Sequence, residues 1–181
     1  STPLYSSAAS DVYKRQALAS ELLDWIQQHT PDDISGGYSE SLSDMIVDSR
    51  ETLLRVLHYP HLTGHEPTGA LRAAAHEDIN LITILPSSNQ SGLQVKGSDG
   101  RWIDVPEGDD KLVVNIGDML QEVSGGYYPS TTHRVINPTF AANKPRMSLP
   151  LFLHPRPDVR LSERYTAASY LEERLRELGV K

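Results

Sequence analysis

Two side chains of types that bind metal ions stand two positions apart in this sequence, at His76 and Asp78. Asp78 directly precedes the apolar run Ile79–Leu85, which is typical of a buried strand. If Asp78 opens that strand, both side chains point to one face of it, about 6.6 Å apart along the backbone. Two ligands on one face can occupy adjacent positions on one metal ion. The spacing alone also fits a surface histidine beside a surface carboxylate.

A third ligand would come from a distant strand, and His133 qualifies. It lies within the run Thr132–Ile136, after a turn rich in glycine and tyrosine. Two imidazoles and one carboxylate on one side of a metal form a facial triad, a ligand set that suits non-haem Fe(II) chemistry with oxygen. None of the other histidines has an acidic residue two positions later, and we interpret them as helix-end, loop or structural residues.

An anchor for a carboxylate ligand is indicated at Arg146-Met147-Ser148. In a strand, Arg146 and Ser148 share one face and Met147 takes the other. A guanidinium fork beside a hydroxyl matches a carboxylate that is held by two hydrogen bonds. Arg146 in a surface ion pair is the alternative. The same spacing recurs at Arg160-Leu161-Ser162, which we discount because it stands at the start of a predicted terminal helix.

The composition excludes several classes of function. The chain has 181 residues, 38% of them hydrophobic, and a net charge of −7, so it has no basic excess for binding nucleic acid. It has no cysteine, which excludes thiolate metal sites, thiol nucleophiles and disulfides. No apolar run is long enough for a membrane span, and Ser1–Gln16 lacks the apolar segment of a secretory signal. We therefore expect a cytoplasmic protein with no nucleic-acid or membrane partner.

Helical periodicity appears near both ends of the chain. Leu18, Leu22, Trp25 and Ile26 fall at helical spacing in a first helix over Ala17–His29. A second helix is predicted over Ser41–Arg50. A terminal amphipathic helix is predicted over Ser162–Leu178, capped by Ser162 and closed by Gly179, with one apolar face formed by Tyr165, Ala168, Leu171, Leu175 and Leu178.

Short apolar runs bounded by turn residues fill the middle of the chain. They predict strands at Thr52–Tyr59, Ile79–Leu85, Leu93–Val95, Trp102–Val105, Leu112–Ile116, Thr132–Ile136 and Met147–Leu153. Asp99-Gly100 between two of these runs is a strong hairpin signal. We predict a mainly β sandwich or jelly roll with helices packed outside it.

Taken in order, several short motifs form a recognisable series. They are Leu54–Pro60, His76–Asp78, Gly92–Val95, Asp99–Trp102, Val105–Pro106, Val114–Asp118, Ser130–Val135 and Arg146–Ser148. Over Leu54–Pro155 this series resembles the C-terminal oxygenase domain of the isopenicillin N synthase-like branch of the 2-oxoglutarate- and Fe(II)-dependent oxygenases.

The resemblance implies a fold, a reaction and a set of site residues. The fold is a double-stranded β-helix, or jelly roll. The reaction couples decarboxylation of 2-oxoglutarate to the oxidation of a small organic substrate by O2. The implied Fe(II) ligands are His76, Asp78 and His133. The implied contacts of 2-oxoglutarate are Arg146, Ser148 and Tyr59, while Leu57 stands where family members often have an asparagine.

Two other functions remain open at this point. One is a 2-oxoglutarate-independent iron oxidase of the isopenicillin N synthase or ACC oxidase type, which binds a substrate carboxylate at the Arg-x-Ser position. The other is a non-enzymatic metal-binding domain or an inactive metal-binding fragment.

The domain organisation follows from the same resemblance. Family members usually carry a longer stretch before the position of Tyr59 than the 58 residues present here. We therefore expect an N-terminally truncated chain in which residues 1–16 are a candidate non-native segment. Residues 17–181 are expected to form one oxygenase domain with its core at 52–155, as a monomer or a homodimer.

Overall fold

The computed structural model describes residues 4–88, 90–108, 110–139 and 143–180. Its helices are α1 (Leu4–Gln28), α2 (Asp32–Ser35), α3 (Asp118–Val123) and α4 (Ala167–Glu177), with a 3-10 turn at Asp44–Ile46. Its strands are β1 (Leu53–Leu54), β2 (Leu57–Tyr59), β3 (Ala73–His76), β4 (Ile82–Pro86), β5 (Leu93–Lys96), β6 (Trp102–Asp104), β7 (Leu112–Ile116), β8 (His133–Val135), β9 (Arg146–Ser148) and β10 (Leu151–Leu153).

The strands form two larger sheets and one small one. The first sheet has the order β1-β10-β4-β7, the second pairs β2 with β9, and the third has the order β3-β8-β5-β6. All neighbouring strands in the described residues are antiparallel. The two four-stranded sheets face each other across a cavity that is lined by residues of both. The predicted jelly roll is confirmed.

Strand alternation divides the first sheet between core and cavity. Ile82 and Ile84 of β4, like Leu151 and Leu153 of β10, are fully buried in the core, against which α1 packs. The residues between them, such as Thr83, line the cavity instead. Because successive side chains of a strand point to opposite faces, the same strands build both the core and the site.

Helix α1 differs from its prediction in length and in the exposure of Trp25, whereas Leu18, Leu22 and Ile26 pack against the core as their spacing predicted. It begins at Leu4 rather than Ala17. Trp25 is exposed, whereas Ala19 and Leu23 are fully buried. Arg15 is also buried, and its guanidinium donates a hydrogen bond of 2.7 Å to the carbonyl oxygen of Leu149, which ties the helix to the loop between β9 and β10.

The predicted helix over Ser41–Arg50 is wrong: only one 3-10 turn forms, at Asp44–Ile46. The next residue, Val47, is extended, and Asp48 takes a left-handed conformation with φ of 55°. Met45 is fully buried in the core. This segment is therefore held by burial of its single turn in the core and does not continue as a helix.

Two predicted strands are each divided in the structure. Thr52–Tyr59 contains β1 and β2, which belong to different sheets. Met147–Leu153 is divided between β9, which pairs with β2, and β10, which pairs with β1. Pro150 has no N–H to continue a ladder, and its carbonyl oxygen accepts a hydrogen bond of 3.0 Å from the Arg55 N–H at the crossing point. The hairpin at Asp99-Gly100 is confirmed, since it joins β5 to β6 and Gly100 has φ of 78°.

The terminal helix α4 begins later than predicted. Thr166, not Ser162, is its N-cap, and the Thr166 and Ser169 side chains form a reciprocal capping box. Leu178 is exposed rather than on a buried face. Gly179 follows the helix with φ of 70°, as predicted for its closing residue.

Candidate metal centre

The structure brings His76, Asp78 and His133 together. One ligand atom of each lies within 4.8 Å of the others. The reason for their proximity differs from the one we predicted, because Asp78 lies in the connection between β3 and β4 and does not begin a strand. His76 ends β3 and pairs directly with His133 of β8, so their ring centres are 4.3 Å apart. Asp78 then reaches back, with its Oδ1 3.7 Å from Nε2 of His133.

Backbone carbonyl groups orient both imidazole rings. Nδ1 of His76 lies 2.7 Å from the carbonyl oxygen of Ala74, and Nδ1 of His133 lies 2.9 Å from that of Thr131. A carbonyl oxygen can only accept, so each Nδ1 carries the proton and donates. Each Nε2 is then left with a free lone pair, the form in which histidine binds metals.

Within the described part of the chain, hydrogen bonds hold the carboxylate of Asp78 through one oxygen, Oδ2. Its Oδ2 accepts hydrogen bonds of 2.6 Å from the Thr83 hydroxyl and 2.9 Å from Nδ2 of Asn115. Asn80 in turn donates a bond of 2.8 Å to the Thr83 oxygen. Asp78 is buried, so these donors stabilise a charge that has lost most of its water. Oδ1 remains on the side of His133 as a single metal-binding oxygen.

The chain turn after β7 holds the Asp78 loop in place. The Asp118 N–H donates a bond of 2.8 Å to the carbonyl oxygen of Asp78, and the Gly117 N–H donates one of 2.9 Å to Leu81. A Cβ at position 117 would lie 2.1 Å from Oδ1 of Asn80, so only glycine permits this approach. Gly117 and Asp118 are thus structural residues of the site.

The predicted carboxylate anchor lies in the small sheet. Register pairs Tyr59 of β2 with Arg146 of β9, and Leu57 with Ser148. Arg146 and Ser148 are buried while Met147 is exposed, which confirms the predicted alternation. Leu57 supplies no polar group at the position opposite Ser148.

Arg146 is a buried cation that has no acidic partner among the described residues. Only 2% of the residue is exposed, and its Nε and Nη1 have no hydrogen-bond partner among the described residues. Burial lowers the pKa of its guanidinium, and the nearby Arg72 lowers it further. The Tyr59 ring centre lies 5.7 Å from the guanidinium carbon. Such a group fits an anionic ligand that accepts two hydrogen bonds.

One cavity of about 810 Å³ connects the candidate metal cluster, formed by His76, Asp78 and His133, to this anchor. Its lining includes the predicted site residues His76, Asp78, His133, Tyr59, Arg146 and Ser148. Arg160, in the second Arg-x-Ser, is exposed and lies outside the cavity lining. The position of Arg160 therefore agrees with our decision not to consider it as a carboxylate anchor.

Sequence reasoning missed the partners of Asp78. Thr83 and Asn115 are polar residues at inward positions of strands that are otherwise apolar. That break in pattern was a usable signal, because a buried polar side chain needs a hydrogen-bond partner.

Comparisons with known proteins agree with this geometry. A protein of Shewanella oneidensis that is provisionally named an oxygenase has 60% identity and a TM-score of 0.87, over 96% of this chain and 65% of that one. A full-length protein of Neurospora crassa, crystallised in complex with alpha-KG, has 28% identity and a TM-score of 0.78, over 98% of this chain and 58% of that one. Gibberellin 3-beta-dioxygenase 1 of Arabidopsis thaliana is 38% identical over 113 residues, which are 62% of this chain and 30% of that protein.

The chain thus spans 30% of the length of this curated relative and about three-fifths of each solved chain. None of the helices in the described part of the chain is long and apolar enough to cross a membrane. A family model for the 2OG-Fe(II) oxygenase superfamily matches residues 50–155, more than half of the sequence. This range contains the metal cluster and the carboxylate anchor, and the chain therefore belongs to the 2OG-Fe(II) oxygenase superfamily.

Proposed function

We propose that this protein is a 2-oxoglutarate-dependent Fe(II) oxygenase of the isopenicillin N synthase-like branch that oxidises a small organic substrate. The observation that carries the proposal is the buried guanidinium of Arg146, which has two unpartnered nitrogens among the described residues and shares a cavity with the His-Asp-His cluster. A cavity that offers three metal ligands and a separate anchor for an anion suits a chelating dicarboxylate beside a metal.

The residues present fit Fe(II). Two imidazole nitrogens with free lone pairs and one carboxylate oxygen form a facial ligand set. His76, Asp78 and His133 would hold the ion, and the Asp78 Oδ2 contacts to Thr83 and Asn115 leave one oxygen for it. With only these three protein ligands, a bound ion would have positions left for other ligands.

The residues present also fit 2-oxoglutarate. Arg146 and Ser148 would bind its distal carboxylate, with the Tyr59 hydroxyl as a further donor. Bound together, Fe(II) and 2-oxoglutarate supply the oxidising chemistry, in which decarboxylation to succinate and CO2 is coupled to oxidation of the substrate by O2. The cavity walls include the apolar side chains of Leu93 and Val95, which would reduce the access of water to the bound ligands.

The test is an anaerobic titration of metal-free protein with Fe(II) and then with 2-oxoglutarate, followed by visible absorbance. We expect a broad charge-transfer band that needs both additions. His76→Ala should abolish stoichiometric Fe(II) binding and the band, while His65→Ala, which changes an exposed loop histidine outside the cluster, should leave both intact. Iron binding without the band would favour a 2-oxoglutarate-independent oxidase. No iron binding by the wild-type chain would refute the proposal.

A further inference from the structure

The cavity is lined by three arginines, and their partners differ. Arg174 of α4 is neutralised by Glu177, whose carboxylate lies 3.0 Å away, and by Glu173 at 3.4 Å. Arg146 is the anchor proposed for the cosubstrate. Arg55 is an exposed residue that lines the same cavity, and it has no ion pair among the described residues. Arg55 and Arg146 therefore both lack an ion pair with the described part of the chain, and only Arg146 has been assigned a ligand by the proposed function.

Backbone register directs Arg55 and its neighbours into the cavity. Leu53 of β1 pairs with Phe152 of β10, and Arg55 follows two positions after Leu53, on the same side of the chain. These three side chains line the cavity, whereas Leu54 between them packs against the core. The Arg55 N–H donates to the carbonyl oxygen of Pro150, which holds the backbone at this point.

Phe152 supports the guanidinium of Arg55. The guanidinium carbon lies 5.2 Å from the centre of the Phe152 ring. Stacking on a ring face restricts the planar fork but leaves the N–H groups at its edge free to donate. A carboxylate is the planar acceptor that matches such a fork in geometry and charge.

We infer that Arg55 and Phe152 form a substrate subsite for a small organic acid. The carboxylate of that acid would pair with Arg55, and its apolar body would contact Phe152, Leu53 and the α4 residues Leu171 and Leu175, all of which line the cavity. This inference rests on the proposed function, since it assigns Arg146 to the cosubstrate and Arg55 to the molecule that is oxidised.

The test compares acids with neutral molecules of the same shape. Phenylacetate, benzoate and hexanoate, each beside its primary amide, are titrated calorimetrically into anaerobic protein that is saturated with Fe(II) and 2-oxoglutarate, so that Arg146 is occupied. At least one acid should bind about tenfold more tightly than its amide. Arg55→Gln should remove that preference, whereas Arg101→Gln, an exposed hairpin arginine outside the cavity, should keep it.

The outcomes separate the subsite from the cosubstrate site. Equal binding of every acid and its amide, an unchanged preference in Arg55→Gln, or no binding of any acid would overturn the inference. The charge-transfer band with Fe(II) and 2-oxoglutarate is recorded for each variant and should persist in Arg55→Gln. If wild-type protein fails to give that band, the proposed function fails, and the same titrations on metal-free Arg146→Met still decide whether Arg55 binds acids.

Discussion

Replacement of Arg146 by methionine should stabilise the protein while removing the proposed anchor of the cosubstrate. Arg146 is 2% exposed, and its Nε and Nη1 have no hydrogen-bond partner among the described residues. A buried polar group without a partner costs about 1–3 kcal/mol, so two such groups destabilise the ligand-free fold by a few kcal/mol. Methionine keeps the unbranched apolar stem and removes both groups.

The expected change in the free energy of unfolding follows from these contributions. Loss of the weak contact with the Tyr59 ring, 5.7 Å from the guanidinium carbon, and incomplete refilling of the volume offset part of the gain. A net gain of about 2 kcal/mol in the free energy of unfolding remains. For a chain of this length it corresponds to a rise in Tm of about 4–8 °C.

The cosubstrate requirement should move in the opposite direction. Two hydrogen bonds from a guanidinium to a carboxylate are lost, so the 2-oxoglutarate concentration that half-saturates the Fe(II) protein should rise at least about tenfold. Stoichiometric Fe(II) binding should persist, because Arg146 is not a member of the metal cluster.

The assay is differential scanning calorimetry of metal-free protein, and of anaerobic Fe(II) protein with and without 2-oxoglutarate. Wild type should gain stability from 2-oxoglutarate, whereas Arg146→Met should begin higher and gain little. Arg160→Met is the matched control, since Arg160 stands in the second Arg-x-Ser and is exposed, and it should change neither quantity. A metal-free Arg146→Met that is less stable than wild type, or that keeps the full gain from 2-oxoglutarate, would refute the reasoning.

Three further results are expected. Thr83→Val combined with Asn115→Leu leaves Oδ2 of Asp78 without donors, and Fe(II) affinity should fall about 10–100-fold in a metal titration; unchanged affinity would mean that these residues do not position the carboxylate. His133→Ala should lose stoichiometric iron by metal analysis, and retained iron would remove His133 from the ligand set. Burial lowers the pKa of His154 below its usual value of 6.5, so the folded chain resists its protonation. The contribution of this group to the free energy of unfolding is fully present above pH 6.5 and is lost as the pH falls through the lowered pKa of the folded state. In Tm values measured over a pH series, His154→Asn should therefore reduce the fall in Tm below pH 6.5.

Local patterns in the sequence reported correctly on side-chain alternation and on turns. Arg146 and Ser148 lie on the buried face of β9 with Met147 opposite, because the period of a strand is two whatever it pairs with. Asp99-Gly100 makes a hairpin, because Gly100 adopts a positive φ at no steric cost. The family resemblance selected the three residues of the metal cluster from seven histidines and 24 acidic residues.

Strand and helix boundaries depended on partners that are distant in the sequence. The division of Thr52–Tyr59 into β1 and β2 follows from pairing with β10 and β9, which lie far later in the chain. The first turn of α4 is set by the reciprocal bonds of Thr166 and Ser169, while Ser162 instead accepts from the Tyr165 N–H in the preceding turn. The secondary-structure propensities of a short segment carry no information about these contacts.

By itself, the sequence determined the residue types of the site and the face on which each anchor residue lies, since both follow from chemistry and local periodicity. Tertiary structure alone decided how the site is assembled. His76 meets His133 through strand register, and the carbonyl oxygens of Ala74 and Thr131 determine which ring nitrogen of each histidine donates. That Arg55 has no ion pair among the described residues is likewise visible only once the cavity walls are in place. The physical reason is that hydrogen-bond partners, burial and missing counter-charges are properties of neighbours in space, which the order of residues along the chain does not specify.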